Sequence, residues 1–309
     1  MRKIVREVVS LDKGIISAEY IALILTGIAA GTVARVITLV IDYRQNPSYP
    51  NGKFINLVTG FIASALGAVA IPAIVEKDFA AITFLALAIQ HFRDIRTIEK
   101  DSLTKLEHTA YVRRGDAYID GIAKTYEARN YISLLAALTA VFVMLLAGIK
   151  NVYWNVLLGF CAGLAVTYAL RYFTKGKTVG ELCSVKSGHI TIEGSELFVD
   201  GMYVSSLLGT ERSRTLFLKE GLAVVIEPKR PISRITVENY GQRQAMLFEA
   251  ARALGLKRYG FTRRNFTQGK TIIAMVPVIS DMDMMVAAVK NTPILENSRK
   301  LHRITGSAK

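Results

Sequence analysis

Long uncharged apolar runs crowd the first 173 residues, whereas after Gly188 the apolar positions follow the shorter periods of strands and amphipathic helices. A helix needs about 20 apolar residues to cross a bilayer. Five segments approach or reach that length: 20–41, 54–75, 79–89, 131–149 and 152–173. The third is the shortest and continues as a helix through Phe92 and Ile95. Lys150 and Asn151 are the whole turn between the last two, which predicts a helical hairpin. The first run is too long for a cleaved leader and reaches Arg35 without a cleavage site, so it reads as a span with Arg35 snorkelling from its end.

Beyond Gly188 short strands are predicted at 189–193 and 197–199 around Gly194–Ser195, then at 222–227, 232–237, 259–263 and 271–278. Helices are predicted at 242–254, capped by Gly255, and near 281–290. This order suggests helices on one face of a mixed sheet. The expected fold is therefore an α-helical transmembrane bundle of about five spans followed by a soluble α+β domain with a mixed sheet. The expected domains are 1–178, with a cytoplasmic loop ahead of the fourth span, and 179–309, with 174–188 as the linker. A high apolar content (51%) and only two cysteines exclude disorder, collagen and a disulfide-stapled mini-fold.

The net charge of +14 is unevenly spread. Residues 90–130 carry Arg93, Arg96, Lys100, Lys105, Arg113, Arg114, Lys124 and Arg129, and the chain after the last span opens with Arg171, Lys175 and Lys177. Basic connections favour the cytoplasm, so both segments are assigned to that side of an inner membrane. With five spans the N-terminal tail, also basic, would lie outside, against that rule. Gly27 and Gly31, Gly60 and Ser64, and Gly159 and Gly163 have the four-residue spacing that lets helix backbones approach, either inside one bundle or between copies in a homo-oligomer.

Chemistry is sparsely marked. His91, His108, His189 and His302 lack ligand spacing, Cys161 and Cys183 are not expected to pair, and no phosphate loop or nucleophile elbow occurs. No metal or cofactor is expected. A transporter would carry buried ionisable groups near the midplane, and only Arg35 comes close. The stretch 257–266 mixes arginines with Tyr259, Phe261 and Phe266. It fits a strand facing anionic headgroups as well as an RNA-stacking strand, and nucleic acid is not an expected partner.

The acids near the membrane are more informative. Asp42 ends the first span, Asp94 follows the third, and Asp116 and Asp120 precede the fourth, all at the cytoplasmic surface in the five-span arrangement. Asp116 and Asp120 are four apart and would share a helix face. Two adjacent carboxylates that share one proton can activate water, which is the aspartic-protease arrangement. The plainer alternative is that these acids pair with Arg113, Arg114, Lys124 or Arg129 and fix the loop.

Tyr118-Ile119-Asp120-Gly121-Ile122-Ala123 resembles the motif that names the YIEGIA family, polytopic membrane proteins of spore-forming Gram-positive bacteria. The flanking Gly115-Asp116-Ala117 and 124–131 are similar too, and the likeness extends over the membrane half and the soluble tail. Asp120 stands where the family name has Glu. The resemblance implies a sporulation-associated inner-membrane or forespore-membrane protein. It further implies aspartic proteolysis of regulatory targets at the cytoplasmic face, with a protein substrate and a small protein inhibitor as partners. The usual Glu shifts the expected catalytic acid towards Asp116, with Asp42 or Asp94 as its partner and Asp120 positioning water or holding the loop. A dyad built from one acid of each protomer is an alternative. The competing reading is a non-enzymatic membrane scaffold whose soluble domain recruits a partner.

Overall fold

A computed structural model describes residues 18–42, 50–174 and 176–299. The chain forms two compact units: residues 1–98 with 123–175, and residues 99–122 with 176–309. Segment 99–122 thus clusters with the C-terminal unit although it lies among the apolar helices in sequence.

The first unit holds α1 (Ala18–Asp42), α2 (Pro50–Val75), the first part of α3 (Phe79–Glu107), most of α4 (Asp116–Ala147) and α5 (Val152–Thr174). Among the described residues four helices are long and apolar enough to cross a membrane: α1, α2, α4 and α5. Helix α3 is not one of them. Its apolar part ends at Ile89, and Arg93, Asp94, Arg96, Glu99 and Lys100 follow within the same helix. The expected α4–α5 hairpin is present, turned at Gly148 and capped where Asn151 accepts the N–H of Tyr153 at 3.0 Å.

Small residues set the packing of this unit. A methyl group at Gly31 would lie 2.5 Å from the Ser133 carbonyl and from Ser64 Oγ, and one at Gly67 would lie 2.2 Å from the Leu134 carbonyl. Gly27 faces Ala68 and Val141, Gly159 faces Met144, and Gly163 faces Ala30 and Ala136. The four-residue spacings are therefore used inside one bundle. Arg35 corrects the snorkelling expectation. It is buried at 1% exposure and lies along Gly60, where an added Cβ would meet its Cγ at 2.3 Å. Its guanidinium donates to the carbonyl of Asn56 (3.1 Å) and to Asn56 Oδ1 (3.3 Å). Gly60 leaves a channel for the methylenes, and Asn56 supplies acceptors one turn earlier on α2.

In the second unit α6 (Val179–Leu182) and β1 (Cys183–Ser187) occupy the segment expected to be linker. Then come β2 (Ile190–Glu193), β3 (Glu196–Val199), β4 (Met202–Ser205), α7 (Glu211–Glu220), β5 (Leu222–Pro228), α8 (Pro231–Glu238) and α9 (Tyr240–Leu254). The chain continues through β6 (Leu256–Asn265), β7 (Lys270–Pro277), α10 (Met282–Lys290) and α11 (Glu296–Arg299). The strand expected at 232–237 is helix α8. Pro231 fits its first turn, and Ser233, Thr236 and Val237 bury one helical face.

The expected mixed sheet is also corrected. The four strands run in the order β1-β5-β7-β6 with every pair antiparallel, and β2-β3-β4 form a separate antiparallel sheet. Both faces of the larger sheet are covered. Val224, Ile226, Ile273 and Met275 pack with Met246, Ala250 and Leu254 of α9 and Met285 and Val289 of α10. The alternate residues Ala223, Val225, Ile272, Ala274 and Val276 pack with Leu197, Val199, Val204 and Phe217 from the small sheet and α7. Burial on both faces explains why β5 and β7 read as continuous apolar runs.

Candidate functional site

The approach to α4 is built by the second unit. Gly115 has φ +87°, a left-handed conformation that a Cβ resists, and it turns the chain into the helix. Glu107 at the end of α3 accepts the N–H groups of Arg114 (2.9 Å) and Gly115 (3.2 Å), one on each oxygen. Gln244 of α9 donates to the Arg113 carbonyl at 2.7 Å. Gly241 lets the start of α9 lie against Ala117, since a Cβ there would approach that of Ala117 to 3.1 Å.

The motif follows directly. Tyr118 is buried and donates its hydroxyl hydrogen to Glu249 Oε1 of α9 at 2.5 Å. The other Glu249 oxygen accepts from Arg252 Nη2 (2.5 Å) and Nε (3.1 Å). Phe248 meets the Tyr118 ring edge-on, and Arg114 lies 5.1 Å from the Phe248 ring centre. Ile119, Ile122 and Ala123 are buried as well. Most of the hexapeptide is therefore framework, and its tyrosine latches α4 to a buried carboxylate.

A cleft of about 1010 Å³ opens beside this latch. Its walls come from the end of α3 (Thr104, Glu107, His108), the turn into α4 (Arg113, Asp116), the start of α9 (Tyr240, Gln244) and β6 (Tyr259, Phe261). Strand β6 is at the edge of the larger sheet, so one side of its backbone has no ladder partner within that sheet.

The four acids singled out from the sequence fare differently. Asp116 opens α4, is exposed and lines the cleft, and its side chain makes no hydrogen bond or ion pair among the described residues. Asp120 lies one turn further, 26% exposed, with Lys100 Nζ at 3.9 Å, and does not line the cleft. Asp94 is exposed on α3 within the first unit. Asp42 is the last residue of α1, and its side chain lies outside the described residues. Asp116 and Asp120 thus share one unit and one helix start, but only Asp116 faces the cleft.

Sequence reasoning missed Glu107, Glu249 and Gln244. Glu249 and Gln244 act across 131 positions, Glu107 reaches only seven and eight residues ahead, and none stands in a motif. Arg113, Arg114, Lys124 and Arg129 are the cations that the plainer alternative offers to the loop acids, and Asp120 has Lys100 beside it. Arg129 is buried, with its guanidinium carbon 5.8 Å from the Tyr126 ring centre. Cys161 and Cys183 are both free thiols. Burial pushes the Cys183 thiol up to about 11, against a smaller opposing influence of Lys229, which keeps it protonated and unreactive. Among the described residues no three His, Cys, Asp or Glu side chains gather to hold a metal ion.

The sequence pattern of the family described as YIEGIA protein matches residues 23–304, which covers the bundle and nearly all of the second unit. The chain belongs to the YIEGIA family. It is also similar to YphB of Bacillus subtilis (strain 168), with 33% identity over 291 residues that span 92% of this chain and 95% of YphB. No solved structure matches. This YIEGIA protein is membrane-like, with apolar helices suited to a lipid bilayer and a β-containing unit beyond them.

Proposed function

We propose that this YIEGIA protein is a membrane-anchored aspartyl endopeptidase that acts on regulatory protein targets at the cytoplasmic face of the inner membrane during sporulation. One observation carries this reading: Asp116 offers an exposed carboxylate with no competing partner in a cleft large enough for a polypeptide segment, beside an edge strand. In the chemistry proposed, one carboxylate takes a proton from water as the water oxygen bonds to the peptide carbon. The second carboxyl gives its proton to the carbonyl oxygen. Breaking the C–N bond then returns a proton to the departing amine. Asp120, one turn from Asp116, is the nearest second acid on α4. Lys100 engages it, so a working dyad needs either that contact opened or an acid from a second protomer.

Four crossings by α1, α2, α4 and α5 support the orientation better than five. The basic N-terminal tail, the connection 76–115 and the C-terminal unit then all face the cytoplasm, and only 43–49 and 148–151 face outward. This arrangement puts Asp42 on the opposite side from Asp116 and Asp120, and removes it as a partner. Cysteines introduced singly at Asn46 and at Thr109 check it. A membrane-impermeant maleimide should label intact cells at 46 only, and labelling at 109 would overturn the orientation.

The enzymatic test uses the full chain in nanodiscs, a defined peptide mixture and mass-spectrometric readout. Wild type should cleave, and Asp116→Asn should lose at least a hundredfold in rate, because asparagine keeps the size and removes ionisation. Cleavage at the wild-type rate by both Asp116→Asn and Asp120→Asn, or no cleavage by wild type, removes the protease reading. A non-enzymatic scaffold that recruits a cytoplasmic partner then stands. The use of the motif tyrosine as an internal latch favours that second reading.

A further inference from the structure

The far end of β6 carries a cluster that the cleft chemistry does not use. Arg243 of α9 donates from its Nη1 to the Thr262 carbonyl at 3.4 Å, while its buried Nε and the buried Thr262 hydroxyl have no hydrogen-bond partner among the described residues. Arg263 and Arg264 are exposed on opposite faces of the same strand: Arg263 lies 5.3 Å from the Tyr203 ring centre of β4, and Arg264 lies 4.2 Å from the exposed Phe266 ring centre. Burial, then the Arg264 and Arg263 charges, hold the Arg243 guanidinium below the usual arginine range. The acid closest in effect is Glu238, and it is already engaged by Arg234. Arg243 and Arg264 therefore share a region whose local carboxylate is taken, with Arg263 adding positive charge from the other face of the strand.

This cluster is continuous with the cleft. Tyr240 lines the cleft and stacks with Arg243, whose guanidinium carbon is 5.7 Å from the ring centre. Tyr259 and Phe261 of the cleft wall lie on the strand that carries Arg263 and Arg264. An extended chain laid along the edge of β6 that has no ladder partner within its sheet would run from the aromatic wall towards Arg264. At about 3.3 Å per residue, the step from Phe261 to Arg264 spans about 10 Å, or three residues of a bound strand.

We propose that Arg243 and Arg264 form a specificity subsite for an acidic stretch in the polypeptide that enters the cleft. The inference rests on the cleft being a polypeptide site and adds the class of sequence it accepts. Forked guanidiniums held by aromatic rings suit carboxylates, which they can engage through two parallel hydrogen bonds. The acidic residues would lie about three positions along from the residue at Phe261.

The test incubates the full chain in phosphatidylcholine nanodiscs with a random twelve-residue peptide library and identifies retained peptides by mass spectrometry. Wild type should enrich Asp and Glu at least threefold over the input, and 0.5 M salt should erase the bias. Arg264→Gln, at an exposed position, and Arg243→Gln/Arg264→Gln should retain as much peptide with the bias lost, while Arg264→Lys should keep most of it. Retention without acidic bias in wild type leaves the cleft reading intact and overturns this subsite. No retention removes both. If the glutamine variants keep the acidic bias and lose only binding to phosphatidylglycerol vesicles, the cluster belongs to the bilayer surface and the proposal fails.

Discussion

The two units solve the packing problem in opposite ways. In the first, many of the buried positions are small: Ala30, Ala34, Ala63, Ala68, Ala136, Ala137 and Ala140 are fully buried beside the glycines, with Arg35, Phe92 and Met144 among the large exceptions. Large apolar groups such as Phe54, Phe61, Leu146, Trp154 and Phe173 point outward. In the second, Ile226, Leu254, Ile272, Ile273, Met246 and Phe217 fill the centre. The second pattern is what water imposes, since burying each large side chain stabilises by about 1.5–3 kcal/mol. The first pattern is what lipid allows. With apolar surroundings there is little to gain from hiding large side chains, and close backbone contact through small residues holds the helices instead.

This contrast predicts opposite sensitivities. Gly67→Leu should have the largest effect, because even its Cβ would collide with the Leu134 backbone, which cannot swing aside as a side chain can. The cost should meet or exceed the ~3 kcal/mol upper range of ordinary overpacking, with loss of monodisperse protein on size-exclusion chromatography. In the second unit the damaging change is the reverse. Ile273→Ala, at a fully buried site between α9 and α10, should cost about 2–5 kcal/mol, read as a lowered unfolding midpoint of that unit. Leu146→Ala, on a 71% exposed bundle position, should change the midpoint little. If Gly67→Leu were tolerated as well as Leu146→Ala, the bundle would not depend on close backbone contact.

The same contrast explains what was legible in the sequence. The long apolar helices were readable because length and hydropathy act locally, whereas in α3 ten apolar residues and Thr83 run into a charged continuation of the same helix. Strands β2, β3, β5, β6 and β7 and helices α9 and α10 were readable from period and capping. Gly255 at φ +69° and Asp281 accepting the Met284 N–H are local signals. Strands β1 and β4 were missed because five and four residues carry too short a pattern. Helix α8 was misread because Ile232, Ile235 and Val237 also fit a strand, and its proline was the deciding cue. At the site, Asp116 and the motif were visible, but the partners of the motif were not. Tyr118 and Glu249 are 131 positions apart, and nothing local marks one as the acceptor of the other.

That long-range pair gives the mildest and most discriminating test of the contrast. Tyr118→Phe removes one oxygen and keeps the ring that meets Phe248. A hydrogen bond to a charged group contributes about 1.5–3 kcal/mol, but Arg252 still serves the other Glu249 oxygen, so a loss near the lower end is expected. Glu249→Gln should cost more, because it weakens the Arg252 contact as well as that of Tyr118. The double variant should then be less destabilised than the sum of the singles, with a coupling of about 1 kcal/mol, since both changes break the same bond. The readout is the unfolding midpoint of the full chain in detergent. Strictly additive losses would mean that the tyrosine does not act through Glu249, and that the motif holds α4 by ring packing alone.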